Sequence, residues 1–177
     1  MALPASGAIS LNQVNVELGN AGTASINMGS AAVRGLFGVA SGAISMSNGY
    51  GKSSQFAFTI SSNQVSANLR TLAVNAGWDQ SSKVAATINS GVYCYSNSTG
   101  TPGFTISGSF PGGVDLVNNG FILGMGGNGG SSRNGGLPGN GGAGGGTALT
   151  VSTAVTITNN NIIGGGGGGG GGGRGGT

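Results

Sequence analysis

The side chains able to carry acid–base, nucleophilic or metal chemistry are few and far apart. The acids are Glu17, Asp79 and Asp115, the cations are Arg34, Lys52, Arg70, Lys83, Arg133 and Arg174, and there is one cysteine, Cys94, and no histidine. General acid–base catalysis needs two titratable groups converging on one site, and no local unit of this sequence supplies such a pair. The many serines have no histidine to activate them, and a lone cysteine closes no internal disulfide. Cys94 lies in Tyr93-Cys94-Tyr95, where strand alternation makes it a small buried hydrophobe rather than a reactive thiol. Trp78, following Gly77, reads as a core anchor.

Glycine-rich loops invite a phosphate-binding reading, and two stretches fail it on detail. Gly49-Tyr50-Gly51-Lys52-Ser53 ends in Gly-Lys-Ser but lacks the earlier glycine at P-loop spacing, and the run 164–173 leads only to Arg174-Gly175-Gly176-Thr177. The sequence therefore predicts no catalytic residues, no metal ligands, no cofactor and no enzymatic activity.

The net charge of +3 comes from six basic residues scattered over the whole length, without the clustering or aromatic interleaving of a nucleic-acid groove. No nucleic-acid partner is expected. Charged residues make up only 5% of the chain, so its surface must be built from Ser, Thr, Asn and Gly, which suits a large assembly or contact with another polar surface. Alternating apolar residues in a nearly neutral chain argue against wholesale disorder. The first ten residues carry no basic region and are broken by Pro4, and no apolar run approaches the ~18 residues of a membrane span, so neither a secretory leader nor membrane insertion is expected.

The elements that must position the remaining polar groups are organised around glycine, 42 residues in all. A block at 124–146 is interrupted by Asn128, Ser131, Ser132, Arg133, Asn134, Leu137, Pro138 and Asn140, and it has an echo at 164–173. Such a block is either a flexible linker or an ordered array. The ordered form is an extended left-handed helix of three residues per turn, whose outward N–H and C=O groups neighbouring strands can satisfy. The strict Gly-X-Y period of collagen is absent. In a slab of such helices the tips would be Ser131-Ser132-Arg133-Asn134 and Leu137-Pro138-Gly139-Asn140.

Upstream, Ala5-Ser6-Gly7-Ala8-Ile9-Ser10 returns as Ala40-Ser41-Gly42-Ala43-Ile44-Ser45. After the first copy, Ser10 and Gln13 form a capping-box pattern and Leu11, Val14 and Leu18 recur at helical spacing, predicting a helix over 11–18. A second helix is expected with Asn27 as cap and Gly38 as stop, and a brief turn capped by Ser45. The core of this miniature domain would be Ile9, Leu11, Val14, Leu18, Ile26, Met28, Val33, Leu36, Ile44 and Met46. A unit of this size is marginal alone and is expected to dock on a partner or to cap the rest of the chain.

From Gln55 the period changes. Phe56, Phe58 and Ile60 alternate as a strand, Val65 to Ala76 falls at helical spacing, and 83–88 and 91–95 read as further strands with a turn at 89–91. A second repeat follows: 114–122 aligns with 155–163, glycine tracts follow both, and the strands at 104–110 and 149–155 correspond approximately. Short β pieces with asparagines at their turns suggest stacked rungs of a β-helix or a sandwich, with glycine excursions from one face. Recurrence of the tract at one place in the unit favours ordered layering over a linker.

These residues together resemble phage tail proteins. Ser6-Gly7-Ala8-Ile9-Ser10-Leu11, Glu17-Leu18-Gly19 and Ile44-Ser45-Met46 through Tyr50-Gly51-Lys52-Ser53 look like a module at the start of many glycine-rich phage tail and tail-fibre proteins. The remainder, from Leu69-Arg70 and Gly77-Trp78 through the Asn-Asn-Gly and glycine tracts, is similar to such proteins and resembles the glycine-rich distal tail-fibre adhesin of T-even-like phages. The resemblance implies a layered array of glycine-rich helices whose loops contact a bacterial outer-membrane receptor.

The expected fold is thus mainly β with short helices: a helical virion-docking module over residues 1–53, then a β-rich repeat domain over 54–177 with polyglycine-II-like layered excursions. The expected function is that of a virion tail protein, a tail-fibre or tail-tip component in host-surface attachment, assembled in the host cytoplasm. The alternative is a structural connector of the tail tip or baseplate without receptor contact; a cellular matrix protein would carry a secretion signal. The resemblance places virion docking on Ile9, Leu11, Leu18, Ile44, Met46 and Lys52, and receptor contact on Ser131, Ser132, Arg133, Asn134, Leu137, Pro138 and Asn140. Implied partners are other tail or baseplate proteins and a bacterial surface receptor, an outer-membrane protein or glycan, with a homotrimer compatible with the symmetry of tail fibres. Arg133 or Arg174 would be available to a phosphate or carboxylate of that surface.

Overall fold

The computed structural model describes residues 2–80 and 82–176. The chain divides into two compact units, Met1–Phe56 and Ala57–Thr177.

The first unit has two helices of about two turns each and a 3-10 turn. Helix α1 (Leu11–Glu17) starts at a reciprocal capping box: the Ser10 side chain accepts from the Gln13 amide at 3.2 Å, and the Ser10 amide donates to Gln13 Oε1 at 2.7 Å. Helix α2 (Ala31–Phe37) is capped by Ser30 rather than Asn27 and stops at Gly38, which takes the left-handed conformation at φ 70°. Asn27 instead accepts the Gly29 amide at 2.8 Å, a local turn that an asparagine forms more readily than a helix start three residues before the apolar face begins. The 3-10 turn Met46–Gly49 carries a second capping box, between Ser45 and Asn48.

The core of this unit is Leu3, Ile9, Val14, Val33, Leu36 and Phe37, with Leu18, Ile26, Met28, Ile44 and Met46 packed half-buried around it. Leu11 is not part of it, being 43% exposed. At the first position of a seven-residue helix its side chain lies beyond the stripe that Val14 presents inward. Leu3 and Phe37 take the place expected of Leu11, and a Cβ on Gly49 would stand 2.7 Å from the Phe37 ring, so glycine is required there. Two polar residues are buried with the core: Asn15, whose Nδ2 donates to the carbonyls of Gly22 and Ala24 at 3.2 and 2.7 Å, and Glu17.

Among the described residues, the second unit has eleven strands in three parallel sheets. Strands β1 (Gln55–Ile60), β4 (Lys83–Ile88), β7 (Val114–Asn118) and β10 (Thr156–Asn159) form one sheet in that order. Strands β2 (Gln64–Val65), β5 (Tyr93–Tyr95), β8 (Phe121–Leu123) and β11 (Ile162–Gly164) form the second. Strands β3 (Ala67–Asn68), β6 (Phe104–Ile106) and β9 (Leu149–Val151) form the third. The chain visits the three sheets in turn and then climbs one layer, so that Val84 pairs with Val114, Asp115 with Thr156, Tyr93 with Phe121, Phe121 with Ile162, and Phe104 with Leu149. This is the stacked-rung arrangement, and the alternative of a sandwich is set aside.

Alternation follows from the pleat. Val84, Ala86, Ile88, Cys94, Phe104, Ile106, Leu116 and Ile122 point inward and are at most 1% exposed. Each large member of that stack contributes about 1.5–3 kcal/mol by leaving water. At the corner between the first two sheets the interior turns polar. Asn118 is fully buried; its Nδ2 donates to Asn159 Oδ1 at 2.7 Å and its Oδ1 accepts the Gly120 amide at 3.2 Å. The Asn119, Asn160 and Asn161 side chains and carbonyls continue the ladder, Asn160 donating to Asn119 Oδ1 at 2.9 Å.

Helix α3 (Leu69–Asn75) is shorter than the helical spacing over 65–76 suggests. Its first residues are drawn into strands, because Val65 pairs with Tyr95 and Ala67 with Phe104, with Ser66 at φ 46° turning the corner between them. Asn68 caps the helix, accepting from the Arg70 amide at 2.8 Å. Trp78 is 4% exposed, stacks on Phe110 with 5.3 Å between centroids and donates from Nε1 to the Ser82 carbonyl at 2.8 Å.

Candidate functional site: the glycine tracts and their tip

Rung three is interrupted. Between β8 and β9 the chain leaves the stack as one glycine tract (124–133), turns, and returns as a second (139–146); after β11 a third (164–176) leaves from the rung above. The amides of Gly124, Gly127 and Gly130 donate to the carbonyls of Gly164, Gly167 and Gly170 at 3.0, 2.8 and 2.7 Å. Those of Asn140, Ala143 and Gly146 donate to Ser131, Asn128 and Met125 at 2.9, 2.8 and 2.7 Å. Those of Gly166, Gly169 and Gly172 donate to Gly146, Ala143 and Asn140, each at 2.8 Å. Every pair of tracts is therefore bonded, every third residue donates, and the second tract runs against the other two.

The same period governs where glycine is required. A Cβ on Gly127 would stand 2.0 Å from the Ala143 carbonyl oxygen, on Gly142 2.0 Å from that of Gly169, and on Gly169 2.0 Å from that of Asn128. These positions line the axis between the tracts, where only a hydrogen fits. Gly144, Gly167 and Gly170 have open space instead, and Met125, Asn128, Ser131, Asn140 and Ala143 fall one residue past the axial positions of their tracts.

At the far end the chain bends through Gly135 and Gly136, both left-handed at φ 76° and 70°. The bend gathers all the residues expected to contact a receptor. Asn140 donates from Nδ2 to Ser131 Oγ at 2.9 Å, Arg133 forms an isolated parallel backbone bridge with Arg174, and Arg174 Nε donates to the Gly136 carbonyl at 2.5 Å. Ser132, Asn134, Leu137 and Pro138 are exposed around them, Leu137 at 54%. Arg174 lies 41 residues beyond Arg133, the same offset that separates Asp115 from its rung partner Thr156. The repeat that sets the rungs thus also sets which residues meet at the tip.

A family model described as phage tail fibre adhesin Gp38 matches residues 55–177, the β strands, the glycine tracts and the tip together. The chain belongs to that family. No curated protein and no solved structure matches it. Membership makes this a phage tail fibre adhesin, a virion tail component of the host-attachment class, and gives no support to a connector without receptor contact. Such an adhesin interacts with other phage tail proteins and with a host surface receptor.

The residues expected to dock on the virion lie in the first unit, outside the matched span. Ile9 is committed to that unit's core, and Leu18, Ile44 and Met46 pack half-buried against it, whereas Leu11 and Lys52 are exposed. On the same unit, a groove of about 240 Å³ is lined by Ala2, Leu3, Pro4, Asn12, Gln13 and Val16, and Val16 is 54% exposed. Sequence spacing had no means of singling out Val16, which shares the helical stripe with neither Val14 nor Leu18.

The buried carboxyl of Glu17 is explained within its own unit. Burial alone would raise its pKa; the Ser54 amide at 2.9 Å and the Ser53 hydroxyl at 2.9 Å, both donating to Oε1, outweigh that and hold it below the ordinary value. Cys94 shows the opposite balance: burial in the stack pushes its thiol up to about 11. Among the described residues no cluster of three or more His, Cys, Asp or Glu could hold a metal ion, and no helix is long and apolar enough to cross a membrane.

Proposed function

We propose that the three glycine tracts are left-handed polyglycine helices packed side by side, and that they hold the tip outward as the surface that reads the host. The three-residue donor period and the glycine-only axis support this reading. Contact falls on Ser131, Ser132, Arg133, Asn134, Leu137, Pro138 and Asn140, which present hydroxyls, amides, a guanidinium and two apolar residues on backbone fixed by cross-tract hydrogen bonds. Fixed backbone lowers the ordering cost of binding, so a small surface suffices for recognition. The role is binding without catalysis.

The first unit is the virion-docking module, with Leu11, Val16 and the adjoining groove as its free apolar surface and Lys52 at its edge. A homotrimer would present three tips at once and gain by multivalency. The observation that carries the proposal is the convergence of both loop segments and the third tract at a single end of the bundle. The test is to replace residues 132–138 by a Gly-Ser turn of equal length in assembled virions. Particles should form normally and fail to adsorb to susceptible cells; normal adsorption would refute the assignment of the tip.

A further inference from the structure

We infer that Asn134 is a site of spontaneous covalent modification, its side-chain amide being displaced by the Gly135 backbone nitrogen, so that the tip changes as a particle ages. The chemistry stands on the bend alone; its consequence for adsorption rests on the proposed function of the tip. The Gly135 nitrogen gives its proton to water and attacks Asn134 Cγ. A C–N bond forms, the side-chain nitrogen leaves as ammonia, and a succinimide ring remains. Water then opens the ring at either carbonyl, leaving aspartate or, where the main chain now runs through the β-carbon, isoaspartate. The net change is water in and ammonia out, with nothing oxidised or reduced.

Ring closure needs a backbone free to turn at the asparagine and a following residue with no Cβ to crowd the ring, and glycine meets the second condition. The sequence offers five Asn-Gly pairs, at 48–49, 119–120, 128–129, 134–135 and 140–141. The fold holds the other four. Asn48 Oδ1 accepts the Ser45 amide at 2.8 Å within the 3-10 turn. The Gly120 amide, the nucleophile that Asn119 would need, donates to Asn118 Oδ1 at 3.2 Å, and a Cβ on Gly120 would stand 2.4 Å from the Val92 carbonyl oxygen. The Asn128 carbonyl accepts the Ala143 amide at 2.8 Å, between the cross-tract bonds of Gly127 and Gly130. Asn140 is bonded at its amide and its side chain to Ser131, and at its carbonyl to Gly172.

Asn134 differs on each count. It is exposed, and neither its side chain nor the Gly135 amide makes a hydrogen bond among the described residues. Gly135 is exposed as well, at φ 76°, and a Cβ built on it meets nothing within 4 Å, so the ring has room. The product alters the surface. A carboxylate only accepts hydrogen bonds, where the amide both donates and accepts, and it brings a negative charge to the tip. The isoaspartyl link also adds a carbon to the main chain of the bend that closes Ser131 on Asn140.

The experiment ages whole virions in mildly alkaline buffer made with heavy-oxygen water, which labels every succinimide as it hydrolyses, and locates the label by proteolysis and mass spectrometry. Conversion at Asn134 should run at least about tenfold faster than at the other four pairs, which must break hydrogen bonds before they can close. In denaturant all five should convert at comparable rates. Equal rates in intact particles overturn the inference, and so does a preference for Asn134 that persists in denaturant, since the fold is then not its cause. Adsorption tests the consequence separately. In an aged population, particles left unbound by susceptible cells should carry more converted Asn134 than those that bind. Selective conversion found equally in bound and unbound particles supports the modification and counts against the tip as the surface that reads the host.

Discussion

Asn118 and Asn159 are joined by a 2.7 Å hydrogen bond from Nδ2 to Oδ1, across the boundary between the third and fourth rungs, and Asn118 is wholly removed from water. A buried amide is tolerable only when its donors and acceptor are used, and here the Ile162 carbonyl and the Gly120 amide take the remaining positions. The ladder therefore aligns two rungs by polar register, where apolar stacking alone would permit slippage.

Asn118→Ala should lower the stability of the second unit by about 1–3 kcal/mol, since it strands the Gly120 amide and the Asn159 side chain. Asn160→Ala, at an exposed rung of the same ladder, should change it by less than about 0.5 kcal/mol. Trp78 is the only tryptophan and is buried in this unit, so denaturant unfolding followed by its fluorescence reports the comparison directly.

The axis of the glycine bundle gives a second contrast. Gly169→Ala forces a methyl to within 2.0 Å of a backbone oxygen and should separate the tracts, whereas Gly167→Ala meets nothing within 4 Å. Hydrogen exchange at the Gly127, Ala143 and Gly172 amides should accelerate strongly in the first variant and stay close to wild type in the second. Equal exchange in both would contradict the three-tract packing.

Acid should loosen the first unit through Glu17. Its folded pKa lies below the ordinary 4.5, so the unfolded chain binds the proton more readily. The stability it contributes is fully present above about 4.5 and is lost as pH falls through the lower folded value. Protection of the Ser54 amide, which donates to Glu17, should decline in that window, and Glu17→Gln should flatten the decline.

Cys94 should resist thiol reagents. With its thiol at about 11 and its side chain fully buried, the folded protein at neutral pH carries very little reactive thiolate. Labelling by an aromatic disulfide should proceed at the rate at which the second unit opens and become fast in denaturant.

Much of this architecture was legible because it repeats. The match of 114–122 with 155–163 reappears as the pairing of Asp115 with Thr156 and of Phe121 with Ile162, residue for residue. The Ser10–Gln13 capping box was equally readable, since both halves lie within one turn. What escaped depends on distant partners. Gln64–Val65 and Ala67–Asn68 carry helical spacing yet pair with β5 and β6, because cross-rung hydrogen bonds outweigh a weak local preference. The exposure of Leu11, the burial of Leu3 and the stacking of Tyr93 on Phe121 at 4.6 Å likewise follow from which rungs and helices meet. At the tip, the residue types were visible in the chain order, but the meeting of Arg133 with Arg174 needed the register of the third tract.

The three-residue donor period also sets how such an adhesin can change length. Removing or adding three residues in each tract restores every cross-tract hydrogen bond and every axial glycine to register, while any other increment places a side chain on the axis. On the proposed polyglycine-helix reading the reach of the tip is therefore quantised, in steps of about 9 Å at 3.1 Å per residue. Because the excursion leaves and re-enters one rung, each step leaves the stack beneath it untouched. With the tip as the receptor-reading surface proposed above, selection for a deeper or shallower receptor acts as on a telescoping rod with fixed stops, independently of the sequence written at its end.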